Sequence, residues 1–167
     1  GIDMNAIDEL GNAADLFNDD TDLNGNFSVL FPEGTWEANL RSVDPTASQE
    51  WIPHTYPLMV VTEPVDLGTI QMFPGYHFSG EVNNSTGDQI AGADLDAEHS
   101  ATGIPITINN DTTDNNGRFD VLLPQGSILL EIDPPATGPI LQTVVLSLDV
   151  VTGPPVDLGF IVLPDGV

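Results

Sequence analysis

The chain contains no cysteine and no lysine, and its strong cations are Arg41 and Arg118 alone. Without cysteine, disulfides, thiolate metal sites and cysteine nucleophiles are excluded. Against the two arginines stand 26 Asp and Glu residues, for a formal charge of −24. Such a surface excludes nucleic acid and anionic membrane faces as partners. Its self-repulsion calls for high salt or bound cations, and both point to an extracellular or cell-surface setting. Long hydrophobic runs are also missing. The longest mostly apolar stretch, residues 140–151, is broken by Gln142 and Asp149 and is too short to cross a bilayer. Helical periodicity is absent, while 14 prolines and 16 glycines punctuate 167 residues, the pattern of short strands joined by turns.

What the chain does have is a duplication. Residues 111–124, DTTDNNGRFDVLLP, repeat residues 19–32, DDTDLNGNFSVLFP, at a constant offset of 92. Asp114 falls on Asp22, Asn116 on Asn24, Gly117 on Gly25, Phe119 on Phe27, Val121 on Val29 and Pro124 on Pro32. A self-match at fixed spacing sets the register of everything else. GIDMN at residues 1–5 matches GADLD at 92–96, and both halves close on PVDLG, at 64–68 and 155–159. The predicted organisation is two domains, 1–74 and 75–167.

Each half predicts the same strands: an early acidic strand, an alternating strand (Phe27, Val29, Phe31 or Phe119, Val121, Leu123), and a Pro-x-Gly turn. A second alternating strand then follows (Trp36, Ala38, Leu40 or Ile128, Leu130, Ile132). Proline-rich loops come next, through Asp44 and Pro45 or through Pro134 and Pro135, then strands at 58–61 or 141–148 and final strands at 70–73 or 161–163. Trp36 alternates with core residues and is expected to be buried. The second half opens with YHFSGEV at 76–82, a strand with Phe78, Gly80 and Val82 on one face, leading to a turn at 83–88. No counterpart precedes Gly1 in the given sequence, so the first half is expected to lack its opening strand. That predicts either a segment of a longer array or a subunit whose missing strand comes from a neighbour. The fold class is all-β, with two tandem Ig-like sandwiches.

The stretches FSGEVNNSTGDQIAGADLD, TDNNGRFDVLLPQGSILLEIDPP and VDLGFIVL resemble the carboxypeptidase regulatory-like domains. The resemblance covers residues 76–163 and, without the first strand, residues 1–73. It implies transthyretin-like β-sandwiches in tandem, serving as spacers, adhesins or accessory domains of surface proteins. Collagen-adhesin B-type repeats look similar and imply a lysine–asparagine isopeptide bond, which a chain without lysine cannot form. No peptidase is implied, because none of His54, His77 and His99 has the Glu three residues later that the metallopeptidase ligand pair needs.

The acidic loops are the candidate chemistry. Asp20, Asp22, Asn24 and Gly25 have the spacing with which a calcium loop begins, but Phe31 stands where an EF-hand needs its glutamate. In the second half Asp111, Asp114 and Asn116 remain. Asp94 and Asp96, or Asp3 and Asn5, sit two apart on the early strand and so project together. A calcium cage of strand carboxylates and loop oxygens is therefore expected, and the second set is favoured. The competing reading is that Asp, Asn and Gly are only turn formers. Carboxylate pairs also suit a glycosidase, but that needs a cleft, and there is no GxSxG elbow for a serine hydrolase. The expectation is a non-enzymatic, cation-stabilised filament subunit, stalk or spacer that self-associates or adjoins neighbouring repeats. The alternative is a carbohydrate- or protein-binding accessory module of a secreted hydrolase, contacting its ligand through Trp51 and Tyr56 on an aromatic loop.

Overall fold

The computed structural model describes residues 1–42 and 50–166, and every regular element among them is a strand. The strands are β1 (Ile2–Asp8), β2 (Gly34–Ser42), β3 (Glu50–Trp51), β4 (His54–Val61), β5 (Pro74–Asn84) and β6 (Asp94–His99). They continue with β7 (Pro105–Ile106), β8 (Arg118–Pro124), β9 (Gly126–Asp133), β10 (Val144–Val150) and β11 (Val156–Leu163). The fold is all-β. The chain divides into two compact units, Gly1–Phe73 and Pro74–Val167. The proline-rich loop expected through Asp44 and Pro45 lies outside the described residues.

Unit 2 is a sandwich. One sheet has the order β10-β9-β6-β7, and in the other β5 lies between β11 and β8. Period-2 alternation turns Ile128, Leu130 and Ile132 of β9 and Leu95 of β6 inward to meet Val82, Val121 and Leu123 from β5 and β8, all at most 1% exposed. Burying each such side chain contributes about 1.5–3 kcal/mol, so this face is what holds the unit together. The chain enters on β5 and leaves on β11, and these two strands pair in parallel, Val156 opposite Phe78 and Leu163 opposite Asn84. β8 pairs with the other edge of β5 antiparallel, with Phe119 opposite Gly80 and Val121 opposite Phe78.

Unit 1 has one sheet, β1-β2-β4, antiparallel throughout, with Met4 opposite Leu40 and Ala38 opposite Tyr56. Met4, Ala38 and Leu40 form its buried centre. The strands expected at Phe27, Val29 and Phe31 and at 70–73 do not form: residues 26–33 and 64–73 run without a β-ladder. The reason is pairing. Their counterparts β8 and β11 both bond to β5, and among the described residues nothing in unit 1 takes the place of β5. Alternation makes a strand only when a neighbour supplies the ladder.

Smaller differences have local causes. Trp36 is half-buried rather than buried: its ring lies tilted beside Phe31 at a centroid distance of 6.4 Å, and its indole N–H donates to the Pro32 carbonyl at 3.0 Å. The aromatic loop of Trp51 and Tyr56 is instead β3 and the start of β4, joined through the buried Ile52 and Pro53. His54 begins β4 and His99 ends β6. No helix of the described residues is long and apolar enough to cross a membrane.

Candidate functional site

The acidic loops are built on one turn used four times. In DELGN (8–12), DLNGN (22–26), NSTGD (84–88) and DNNGR (114–118), a side-chain oxygen of the first residue accepts N–H bonds from the third and fifth. The fourth residue is glycine at a φ between 70° and 89°, and its N–H donates to the carbonyl of the first. This is a three-residue hairpin loop, a turn followed by a left-handed glycine. Asp22 and Asp114 therefore aim an oxygen at their own backbone. Those bonds, from Asn26 in one loop and Arg118 in the other before any other cause, hold both carboxyls below their ordinary range.

The structure gathers a different set of acids. Asp94 and Asp96 of β6 stand opposite Asp133 and Glu131 of β9, and Asp111 accepts the Leu95 N–H at 2.6 Å through its carbonyl. Desolvation, then the charges of Asp96, Asp111 and Asp133, push the Asp94 carboxyl up. Asp133 and Glu131 were not legible as neighbours before the strand register was known. Unit 1 relieves the same position. There Asp3 faces Arg41, whose Nε lies 3.1 Å from its carboxylate, Asn5 faces Asn39, and Asn5 Nδ2 donates to Asp3 at 2.7 Å. Asp20 bridges to Asp3 along the backbone, and Asn24 and Asn116 give their backbone N–H groups to the turns. Among the described residues no three His, Asp or Glu side chains converge closely enough to hold a metal ion.

The most distinctive site of unit 1 is apolar. A groove of 1240 Å³ runs along residues 21–31 and 61–72, floored by Met4, Leu40 and Met59. That exceeds the roughly 300–1,000 Å³ of small-molecule pockets. Phe27, Val29 and Phe31 on one wall and Leu67, Ile70 and Met72 on the other are only half-buried. The counterparts of five of them, Phe119, Val121, Leu123, Ile161 and Leu163, are 0 to 7% exposed, because β5 covers them, while Leu158, the counterpart of Leu67, is half-buried as Leu67 is. Leu30 is 81% exposed, while Leu122, which replaces it in unit 2, is half-buried.

Two glycines give an independent reading of the same gap. At Gly117 a Cβ would stand 2.6 Å from the Val82 carbonyl of β5. At Gly25, with nearly the same backbone, it would meet nothing within 4 Å. The wall is nevertheless preformed: Gly68 N–H donates to Asp66 at 2.8 Å as Gly159 N–H donates to Asp157 at 2.8 Å in the bulge of β11. Trp51 lines the groove, whereas Tyr56 packs against the apolar cluster of unit 1.

No family model matches the chain, and no curated protein matches it. Solved structures resemble it distantly. The Bacillus anthracis TIE protein aligns with 97% of this chain at 13% identity and a TM-score of 0.42, and the chain spans 32% of its length. Shaft pilin SpaA from Lactobacillus rhamnosus GG aligns with 100% at 10% identity and a TM-score of 0.42, with 94% of that chain covered. The group B streptococcus pilus 2b backbone protein aligns with 99% at 15% identity and a TM-score of 0.40, with 78% of it covered.

Proposed function

We propose that the chain is a non-enzymatic structural module of an extracellular or cell-surface assembly, of the carboxypeptidase regulatory-like sandwich type, in which unit 1 is completed by an added strand. The carrying observation is the groove of unit 1, which occupies the position that β5 fills in unit 2. Both walls present apolar side chains and unpaired backbone, and an extended segment between them would satisfy both at once. A module joined to its neighbour in this way is a link, suited to a filament, stalk or spacer. Hydrogen exchange tests the reading: amides of residues 27–31 and 65–72 should exchange rapidly in the isolated chain and become protected in the assembled form. Protection of these amides in a monomer would refute it.

The same reading includes stabilisation by cations. Asp94 and Asp96 stand opposite Asp133 and Glu131, and Asp111 adds its charge against Asp94, an arrangement that costs stability until counter-ions screen or bridge it. Calcium is the expected ion, with the hard oxygen ligands it prefers.

A further inference from the structure

We infer that the occupant of the unit 1 groove is a strand of the β5 type, an extended segment with alternating apolar side chains and a glycine placed opposite Phe27. The inference rests on the strand-completed reading of unit 1 and adds direction, register and side-chain pattern to it.

Unit 2 supplies the template, since it holds such a strand in the equivalent place. β5 runs antiparallel to β8 and parallel to β11. Carried over by the repeat offset, the added strand runs antiparallel to residues 26–31 and parallel to 65–72. In unit 2, Tyr76, Phe78, Gly80 and Val82 face the core, with Tyr76 opposite Leu123, Phe78 opposite Val121 and Gly80 opposite Phe119. The unit 1 walls keep Phe31, Val29 and Phe27 at those positions. The glycine is required by space: a Cβ at position 80 would stand 2.9 Å from the Phe119 ring and 3.2 Å from the Gly159 carbonyl. Unit 1 retains both features, Phe27 and the glycine bend at Gly68 (φ 66°). A residue larger than glycine at that point would drive the strand off one wall.

The flanking face is less restrictive. In unit 2 the outward side of β5 is tied by polar side-chain contacts, with His77 Nδ1 2.7 Å from Asp120 and Glu81 3.5 Å from Arg118. The unit 1 wall has Ser28 and Asn26 at those places, so outward charges on the added strand are not dictated. The β5 of a second copy is not free to serve, because β8 and β11 hold it on both edges. The occupant is therefore a strand not already folded into a unit.

The test is a titration of the whole chain with a synthetic peptide of the Pro74–Asn84 sequence, read by tryptophan emission and by amide exchange at residues 27–31 and 65–72. Trp36 and Trp51 both belong to unit 1. The peptide should bind and protect both walls. A peptide carrying Gly80→Val should bind at least about tenfold more weakly, and Phe27→Ala in the chain should restore it. If the Gly80→Val peptide binds as well as the parent, or an alternating Val/Thr peptide without glycine does, the register is wrong while the strand-completed reading stands. If no peptide binds, the inference fails, and wall amides already protected in the free chain would remove the reading too. Protection that appears only with rising chain concentration, and not with peptide, would assign the groove to a folded second copy and overturn the inference.

Discussion

Replacing Gly25 and Gly117 by alanine, one at a time, separates the turn itself from the strand that lies beside it. Both residues are left-handed, at φ 81° and 70°, so each alanine costs about 1–2 kcal/mol for the backbone conformation alone. At Gly117 the new Cβ also meets the Val82 carbonyl at 2.6 Å, the Ile90 nitrogen at 3.1 Å and the Gln89 Cβ at 3.3 Å. Relieving such crowding adds about 1–3 kcal/mol. At Gly25 nothing lies within 4 Å, and the second cost is absent. Gly117→Ala should therefore lower its own unit's stability by about 1–3 kcal/mol more than Gly25→Ala lowers its own, and for domains of this size each kcal/mol shifts Tm by about 4–8 °C. Tryptophan emission follows unit 1 selectively, since unit 2 contains no tryptophan, and far-UV circular dichroism follows both. Equal losses in the two units would refute the argument, because the turn alone would then account for everything. Once an added strand fills the groove, the cost of Gly25→Ala should rise toward that of Gly117→Ala.

The remaining predictions concern charge and core. The raised Asp94 carboxyl is a destabilising charge in the fold, so its penalty is present at high pH and is relieved as pH falls through the folded pKa toward the ordinary 3.8. Asp94→Asn should remove that acid-side gain from the unit 2 melting curve, and an unchanged pH profile would show that Asp94 is not its source. Asp22 and Asp114, held low by their turn bonds, contribute stability that persists above 3.8 and disappears as pH falls through their depressed values. Calcium should raise the unit 2 Tm more than sodium at equal ionic strength and lose that effect on chelation or with Asp96→Asn; equal effects would reduce the acids to a screened surface. Leu130→Ala, at a side chain with no exposure, should cost about 2–5 kcal/mol and lower the melting temperature of unit 2, read by circular dichroism.

Much of unit 2 could be read from residues. Ile128, Leu130 and Ile132 alternate and are fully buried, and the turn at 114–118 follows from an Asp and a Gly three apart. Local pattern failed where a distant partner decides the outcome. Residues 27–31 carry the same alternation as β8 yet form no strand, since alternation states which side would face a core and says nothing of whether a ladder exists. The acids were half legible for the same reason: Asp94 and Asp96 are neighbours in sequence, but Asp133 and Glu131 join them only through the β6–β9 register. Trp51 and Tyr56 read as one aromatic loop, and the buried Ile52 and Pro53 between them fold that stretch into strands.

The parallel pairing of β5 with β11 also fixes how unit 2 would respond to force. Tension applied where the chain enters β5 and leaves β11 pulls two parallel neighbours in opposite directions along their length. The ladder bonds then share the load in shear instead of opening one at a time, which raises the barrier to forced unfolding, a rate-governed process. In unit 1 the strand in that position would be the added one, so the same geometry would make its ladder to residues 65–72 bear the pull in shear.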